Sequence, residues 1–366
     1  MTLSPRSLVS MLTALALLAG AATAMAETSS WTGSITGPGA PLDRKKAPAA
    51  KPGAAKVIKT LPQADAPAPS APPKQSSTGT KQAAPGDDAA YEAFDQGRYI
   101  TALALAVKAA EGGEPTAHTL VGRIYADGLG TARNAPLAAK WYARGAELGD
   151  AEAMFAYGVM LAEGSGIDKD RAGAARHFEA AAQRRHTLAN YNLALMFLTG
   201  DGKPENPHRA FAHMRFAAEA GVVTAQYDLG TMYAIGQGTD ANAFEAAKWI
   251  GKAANAGHVE AQIDYAVILF RGHGVPVDAK KGAELFRRAA EKGAATAQNR
   301  LARCYAHGAG VEKDLVEAAK WNLIAKAGGI QDQGLEQMLA RMSRADKGKA
   351  QAAADQWRDR ALVGLE

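Results

Sequence analysis

Two histidines thirty-six residues apart, His177 and His213, and a single cysteine, Cys304, are the side chains whose chemistry first asks for a role. A zinc site would need both imidazoles on one ion at about 2 Å. The corresponding positions one period away hold Trp141, Trp249, Leu285 and Trp321, a packing column. Neighbouring copies of a helical repeat sit roughly 10 Å apart, so no metal site is expected. Cys304 occupies a position filled elsewhere by Ile124, Met160, Met196, Met232 and Ile268, which makes it a core residue and not a nucleophile. His186 and His258, also in register, are expected in solvent-facing loops. Six G-x-G loops resemble pieces of phosphate-binding turns, but none follows a strand or completes a G-x-G-x-x-G or G-x-x-x-x-G-K-[ST] pattern. No H-E-x-x-H or G-x-S-x-G is present. Catalytic residues, a resident metal and a cofactor are therefore not expected, and an enzyme has no positive support.

These residues sit on elements that recur with a period of 36 residues, without insertion or deletion, over six copies. The first alanine of each copy, Ala117, Ala153, Ala189, Ala225, Ala261 and Ala297, is taken as position zero. Apolar residues at helical spacing then form one stripe, in the fourth copy Ala225, Leu229, Met232 and Tyr233. Two glycines at positions eleven and thirteen, such as Gly236 and Gly238, end this first helix. Position seventeen is always Asn or Asp (Asn134, Asp170, Asn206, Asn242, Asp278, Asp314), the side chains that cap a second helix. That helix stops at a glycine, with Arg185 as the exception. Small residues at position five let the two helices cross closely. One such pair cannot bury both of its faces, so the copies must stack.

The pattern A-x-x-x-L-G-x-x-Y-x-x-G-x-G-x-x-x-D/N-x-x-x-A-x-x-W-x-x-x-A-A-x-x-G resembles the Sel1-like repeat, a relative of the tetratricopeptide repeat, over residues 115–330. The resemblance implies an all-α, right-handed superhelical solenoid of helix-turn-helix repeats that works by binding other proteins, and it carries no catalytic residues. Unlike cysteine-rich secreted relatives of that family, this chain has no second cysteine to form a disulfide.

Residues 1–26 read as a secretory signal: Arg6 precedes the apolar run Leu8 to Leu18, and Ala24-Met25-Ala26 supplies a cleavage site after Ala26. The alternative is an uncleaved anchor in the inner membrane. Residues 27–86 hold ten of the sixteen prolines and eight basic against three acidic residues, as expected of a disordered Pro/Ala/Lys-rich linker. The net charge of +5 thus comes from the tail and gives no support to a nucleic-acid surface on the repeats. Weak contact of the basic linker with membrane or cell wall is an alternative to a plain spacer role. Residues 87–114 look like a tetratricopeptide-like N-terminal capping repeat, and residues 331–366 like C-terminal capping helices, for about sixteen helices in all.

Positions two, six and nine of the first helix are expected to line a concave groove, with a short polar row at position three between them. In the middle copies they carry Phe155, Val159, Tyr191, Asn192, Leu195, Tyr227, Asp228, Ile263, Asp264 and Val267, whereas the outer copies are polar, with Thr119, Arg123, Asn299 and Arg303. A patch confined to the middle copies reads as a protein-binding groove with a polar rim. The competing reading is packing between adjacent first helices. The expected function is a periplasmic interaction scaffold whose partner is another envelope protein. The layout of signal, basic Pro-rich stretch and repeats is similar to that of periplasmic exopolysaccharide-production negative regulators of α-proteobacteria, which implies regulation of a sensor kinase. The alternative is a factor that binds or hydrolyses peptidoglycan or another envelope carbohydrate.

Overall fold

The computed structural model describes residues 85–363, so the signal and most of the linker expectations lie outside the described residues. Sixteen helices and no strands are found among them. An N-terminal pair, α1 (Pro85–Asp95) and α2 (Tyr99–Glu111), precedes six repeats of equal size. These are α3 (Pro115–Asp127) with α4 (Ala135–Glu147), α5 (Ala151–Glu163) with α6 (Arg171–Gln183), and α7 (Thr187–Thr199) with α8 (Pro207–Glu219). They continue as α9 (Val223–Ile235) with α10 (Ala243–Asn255), α11 (Val259–Arg271) with α12 (Ala279–Glu291), and α13 (Ala295–His307) with α14 (Leu315–Ala327). A short α15 (Gln333–Leu339) and α16 (Arg344–Val363) close the array. Consecutive helices pack against each other from α1 to α15, and α16 packs back on α14, giving the all-α solenoid that the periodicity implies.

Each repeat is built the same way. The position-zero alanines are fully buried, which lets the helices approach closely. In the fourth repeat the first helix ends at Gly236 (φ +72°), whose N–H donates to the Met232 carbonyl. Asn242 then accepts from the N–H groups of Phe244 and Glu245 at 3.1 Å, starting α10. All six position-seventeen residues cap their helices in this manner. The same residues also close the loop through their backbone: the Asn242 N–H donates to the Tyr233 carbonyl at 2.8 Å, and each repeat repeats that bond.

The second glycine of each loop does something that local periodicity does not reveal. Gly238 lies against the start of the previous repeat's second helix, where an added Cβ would overlap the carbonyl of Pro207. Gly166, Gly202, Gly274 and Gly310 meet Ala135, Arg171, Ala243 and Ala279 in the same way. The loop is thus a stacking joint as well as a turn. Arg185, standing where the other copies have glycine, adopts φ +63°, a conformation that costs a non-glycine residue about 1 kcal/mol.

The array is sealed at its C-terminal end by a polar latch. Asp332, buried at the start of α15, accepts from Asn299 Nδ2 at 3.0 Å, Arg303 Nε at 2.6 Å and the Leu335 N–H at 3.1 Å. The polar residues of the last copy, read from the sequence as a groove rim, therefore hold the cap in place.

Candidate interaction surface

The ten expected groove residues keep a common register on α5, α7, α9 and α11, but their environments divide. Phe155, Val159, Tyr191, Asn192 and Leu195 are buried, while Tyr227, Asp228, Ile263, Asp264 and Val267 are half-buried. In repeats two and three these positions therefore serve stacking, and the more open part of the row begins at repeat four. Asn192 Nδ2 donates to the Leu188 carbonyl at 3.0 Å.

Tyr227 and Asp228, which the repeat pattern leaves unassigned, have structural work. The Tyr191 hydroxyl donates to Asp228 Oδ2 at 2.9 Å, and the Tyr227 hydroxyl donates to Asp264 Oδ2 at 2.8 Å. Each bond links position two of one repeat to position three of the next. Burial, with the neighbouring carboxylate, pushes both phenols well above their usual value. Asp264 is itself raised by burial, an effect that the Tyr227 bond offsets in part and Glu260 reinforces. A group raised in this way stabilises the fold most below the unfolded carboxylate value of about 3.9. That contribution is lost as pH rises through its folded pKa. Tyr227→Phe is expected to cost about 1–2 kcal/mol at pH 7, because the half-buried carboxylate loses its donor. The loss should be smaller at pH 4, and urea midpoints at the two pH values measure it; equal losses would refute a role for the charged acceptor.

The two register histidines at the repeat junctions are helix caps and not loop residues. His186 Nδ1 accepts from the Ala189 N–H at 3.1 Å, which leaves Nε2–H to donate to Glu152 at 2.9 Å. Its ring stacks on Phe155 with centroids 4.6 Å apart. His258 accepts from the Ala261 N–H and stacks on Tyr227 at 4.9 Å. Asp150 caps the equivalent helix and accepts from Thr119. An N-cap of one repeat is therefore matched to position two of the repeat before it, as Asp with Thr and as His with an aromatic ring. Comparing those two columns would have found the pairing.

His177 packs edge-on to Tyr157, while His213 is hydrogen-bonded to Asn190 at 2.9 Å and stacked on Phe197. Burial, aided by Arg176 and Arg209 respectively, lowers both pKa values and favours neutral rings. Cys304 is buried in the core, and burial pushes its thiol up to about 12, so a reactive thiolate does not form near neutral pH.

A cavity of about 360 Å³ opens in the valley between repeats four and five. Asp264 and Val267 line it with Thr231, Ala234, Ile250 and Ile268, and Arg271 and His273 also contribute. Three of the four large apolar side chains exposed among the described residues belong to these two repeats: Ile235 at 65%, Phe244 at 62% and Val277 at 65%. Ile235 lines the cavity, and Phe244 follows Ala243, which lines it too. The open apolar surface is thus concentrated here.

The Sel1 repeat family model matches residues 115–150, 151–186, 187–222, 223–258, 259–293 and 295–329. Among solved structures, a Sel1 repeat protein from Oxalobacter formigenes is 28% identical with a TM-score of 0.58, over 69% of this chain and 99% of that one. A protective antigen of uropathogenic Escherichia coli with an SLR fold is 25% identical with a TM-score of 0.50, over 75% of this chain and 68% of that one. No curated protein matches. Six tandem family matches, one on each structural repeat, cover more than half of the sequence: the chain belongs to the Sel1 repeat family.

Proposed function

We propose that this protein is an exported, non-enzymatic scaffold of the periplasm that holds another envelope protein, such as a sensor kinase, against repeats four and five. Sel1 repeat proteins generally mediate protein–protein interaction, and the repeat scaffold is typically non-catalytic. The observation that carries the location is the exposed Ile235 and Phe244 at the cavity, since grouped exposed apolar surface marks interaction sites. Envelope hydrolysis is less well supported by the same site. Asp264 is the only carboxylate lining the cavity, whereas glycoside hydrolysis uses a pair roughly 5–10 Å apart.

The exposed positions make a cleaner test than Tyr191, which is buried and would disturb stacking if truncated. Ile235→Asp with Phe244→Asp should leave the melting temperature within a few degrees, because both side chains are exposed. Crosslinking in intact cells, followed by capture and mass spectrometry, should show an envelope protein whose yield falls at least about tenfold in the double variant. Undiminished capture by a folded variant would refute the location, and recovery of the unvaried protein only from the cytoplasmic fraction would refute export.

A further inference from the structure

The cavity between repeats four and five opens where repeat four carries small side chains at positions six and sixteen and lacks the ring that the next repeat adds at position nine. Position six holds Thr231 where the other copies have Arg123, Val159, Leu195, Val267 and Arg303. Position nine holds Ala234, as repeats one, two and six hold Ala126, Ala162 and Ala306, whereas the next repeat has Phe270, which covers Gly282 and stacks on Phe286 at 5.8 Å. Position sixteen holds Ala241, where the others have Arg133, Lys169, Glu205, Val277 and Lys313. Ala246 and Ile250, the counterparts of Gly282 and Phe286, are left lining an open space. Phe270 of the next repeat marks where a large side chain can lie against this pair of positions.

The chemistry of the lining says which side chain fits. Ala234, Ile235, Ala243, Ile250, Val267 and Ile268 make the walls apolar. Asp264 and Thr231 add oxygen acceptors to them, and a buried tyrosine or tryptophan needs such an acceptor for its O–H or N–H. Arg271 and His273 bring the basic groups of the lining. Charge complementarity therefore selects a segment with acidic residues beside the anchor. The same charges make this chain's own linker, with eight basic residues against three acidic ones, the poorer occupant.

We propose that this valley is a docking pocket for a single tryptophan or tyrosine presented by an acidic segment of a partner protein. The proposal rests on the scaffold reading above and specifies the ligand that reading leaves open. The anchor lies against Ala246 and Ile250, in the place that Phe270 takes one repeat later, with its polar end toward Asp264. The flanking carboxylates of the segment meet Arg271 and His273.

A random peptide display library panned against the full chain tests this without knowledge of the partner. Selected sequences should pair Trp or Tyr with neighbouring Asp or Glu. Their affinity should fall at least about tenfold for Ala234→Phe, which fills the cavity from within. Ala241→Lys, which restores the residue type of repeats two and six, is an exposed second variant that guards against misfolding of the first. Basic or non-aromatic binders, no enrichment, or full affinity in both folded variants would overturn the proposal. Self-association abolished by either variant would do the same and point to a second copy as the occupant. Envelope capture that persists in Ala234→Phe would sink the pocket while leaving the scaffold reading intact, whereas no capture by the unvaried protein would sink that reading.

Discussion

Alanine at Gly238 is expected to lower stability by about 3 kcal/mol or more, a large fraction of what holds a domain of this size together. Two costs add. The residue has φ +73°, where a β-carbon costs about 1–2 kcal/mol. The new methyl also overlaps the Pro207 carbonyl, and such overpacking costs a further 1–3 kcal/mol or so because a helix backbone must move. Gly221 is the control: its φ is +95°, but nothing lies within 4 Å of an added Cβ, so Gly221→Ala should show only the first cost. Urea denaturation of the two variants separates the effects, and equal losses would show that the joint between repeats yields freely. Hydrogen exchange should place the damage at the junction of repeats three and four, since each repeat touches mainly its neighbours.

Asp332→Ala should be the second large loss, at about 2–3 kcal/mol. The substitution removes a cap worth about 1 kcal/mol and leaves the Asn299 amide and the Arg303 guanidinium without their shared acceptor. Arg303 is partly exposed, which keeps the figure below that for a fully buried ion pair. Asp332→Asn retains an acceptor and should lose less. Burial acts to raise the Asp332 pKa, but the bonds from Arg303, Asn299 and the Leu335 amide, with the guanidinium charge, outweigh it and hold the carboxyl below its ordinary value. The sign is therefore opposite to that of Asp264. The latch is at full strength above the unfolded carboxylate value of about 3.9 and is lost as pH falls through the lower folded value. Amide exchange in α15 should rise on acidification in the unvaried protein and be fast at every pH in Asp332→Ala. Slow exchange in that variant would show that α15 is held by Leu335 and Leu339 alone.

Much of this architecture was legible because it is local and repeated. Asn242 and its five equivalents follow from side-chain type and distance to the next apolar stripe, and Gly236 follows from the need for positive φ where a helix stops. Legibility failed where a residue answers to the neighbouring repeat. Tyr227 and Ile263 sit on the same helix face whether they stack or bind, so periodicity could not tell the two roles apart. The Tyr–Asp bonds were readable in principle: Tyr191 and Tyr227 are each followed one copy later by an aspartate, whereas Phe155, with no hydroxyl, is followed by Asn192. Asp332 escaped notice because it lies beyond the last repeat and its partners looked like a rim. The cavity could not be seen as such, since small residues in three separate columns become one space only when the helices are packed.

The joints between repeats speak two languages. The glycine joint, Gly238 against the Pro207 carbonyl, is a main-chain approach that recurs at Gly166, Gly202, Gly274 and Gly310, and here His208 Nδ1–H adds a hydrogen bond to the Gly238 carbonyl at 3.0 Å. The Tyr191–Asp228 and Tyr227–Asp264 bonds, by contrast, are written in side chains and oblige repeats three, four and five to stand in that order. In this protein repeat four takes part in both Tyr–Asp keys and lines the cavity, so exchanging it breaks two keys at once.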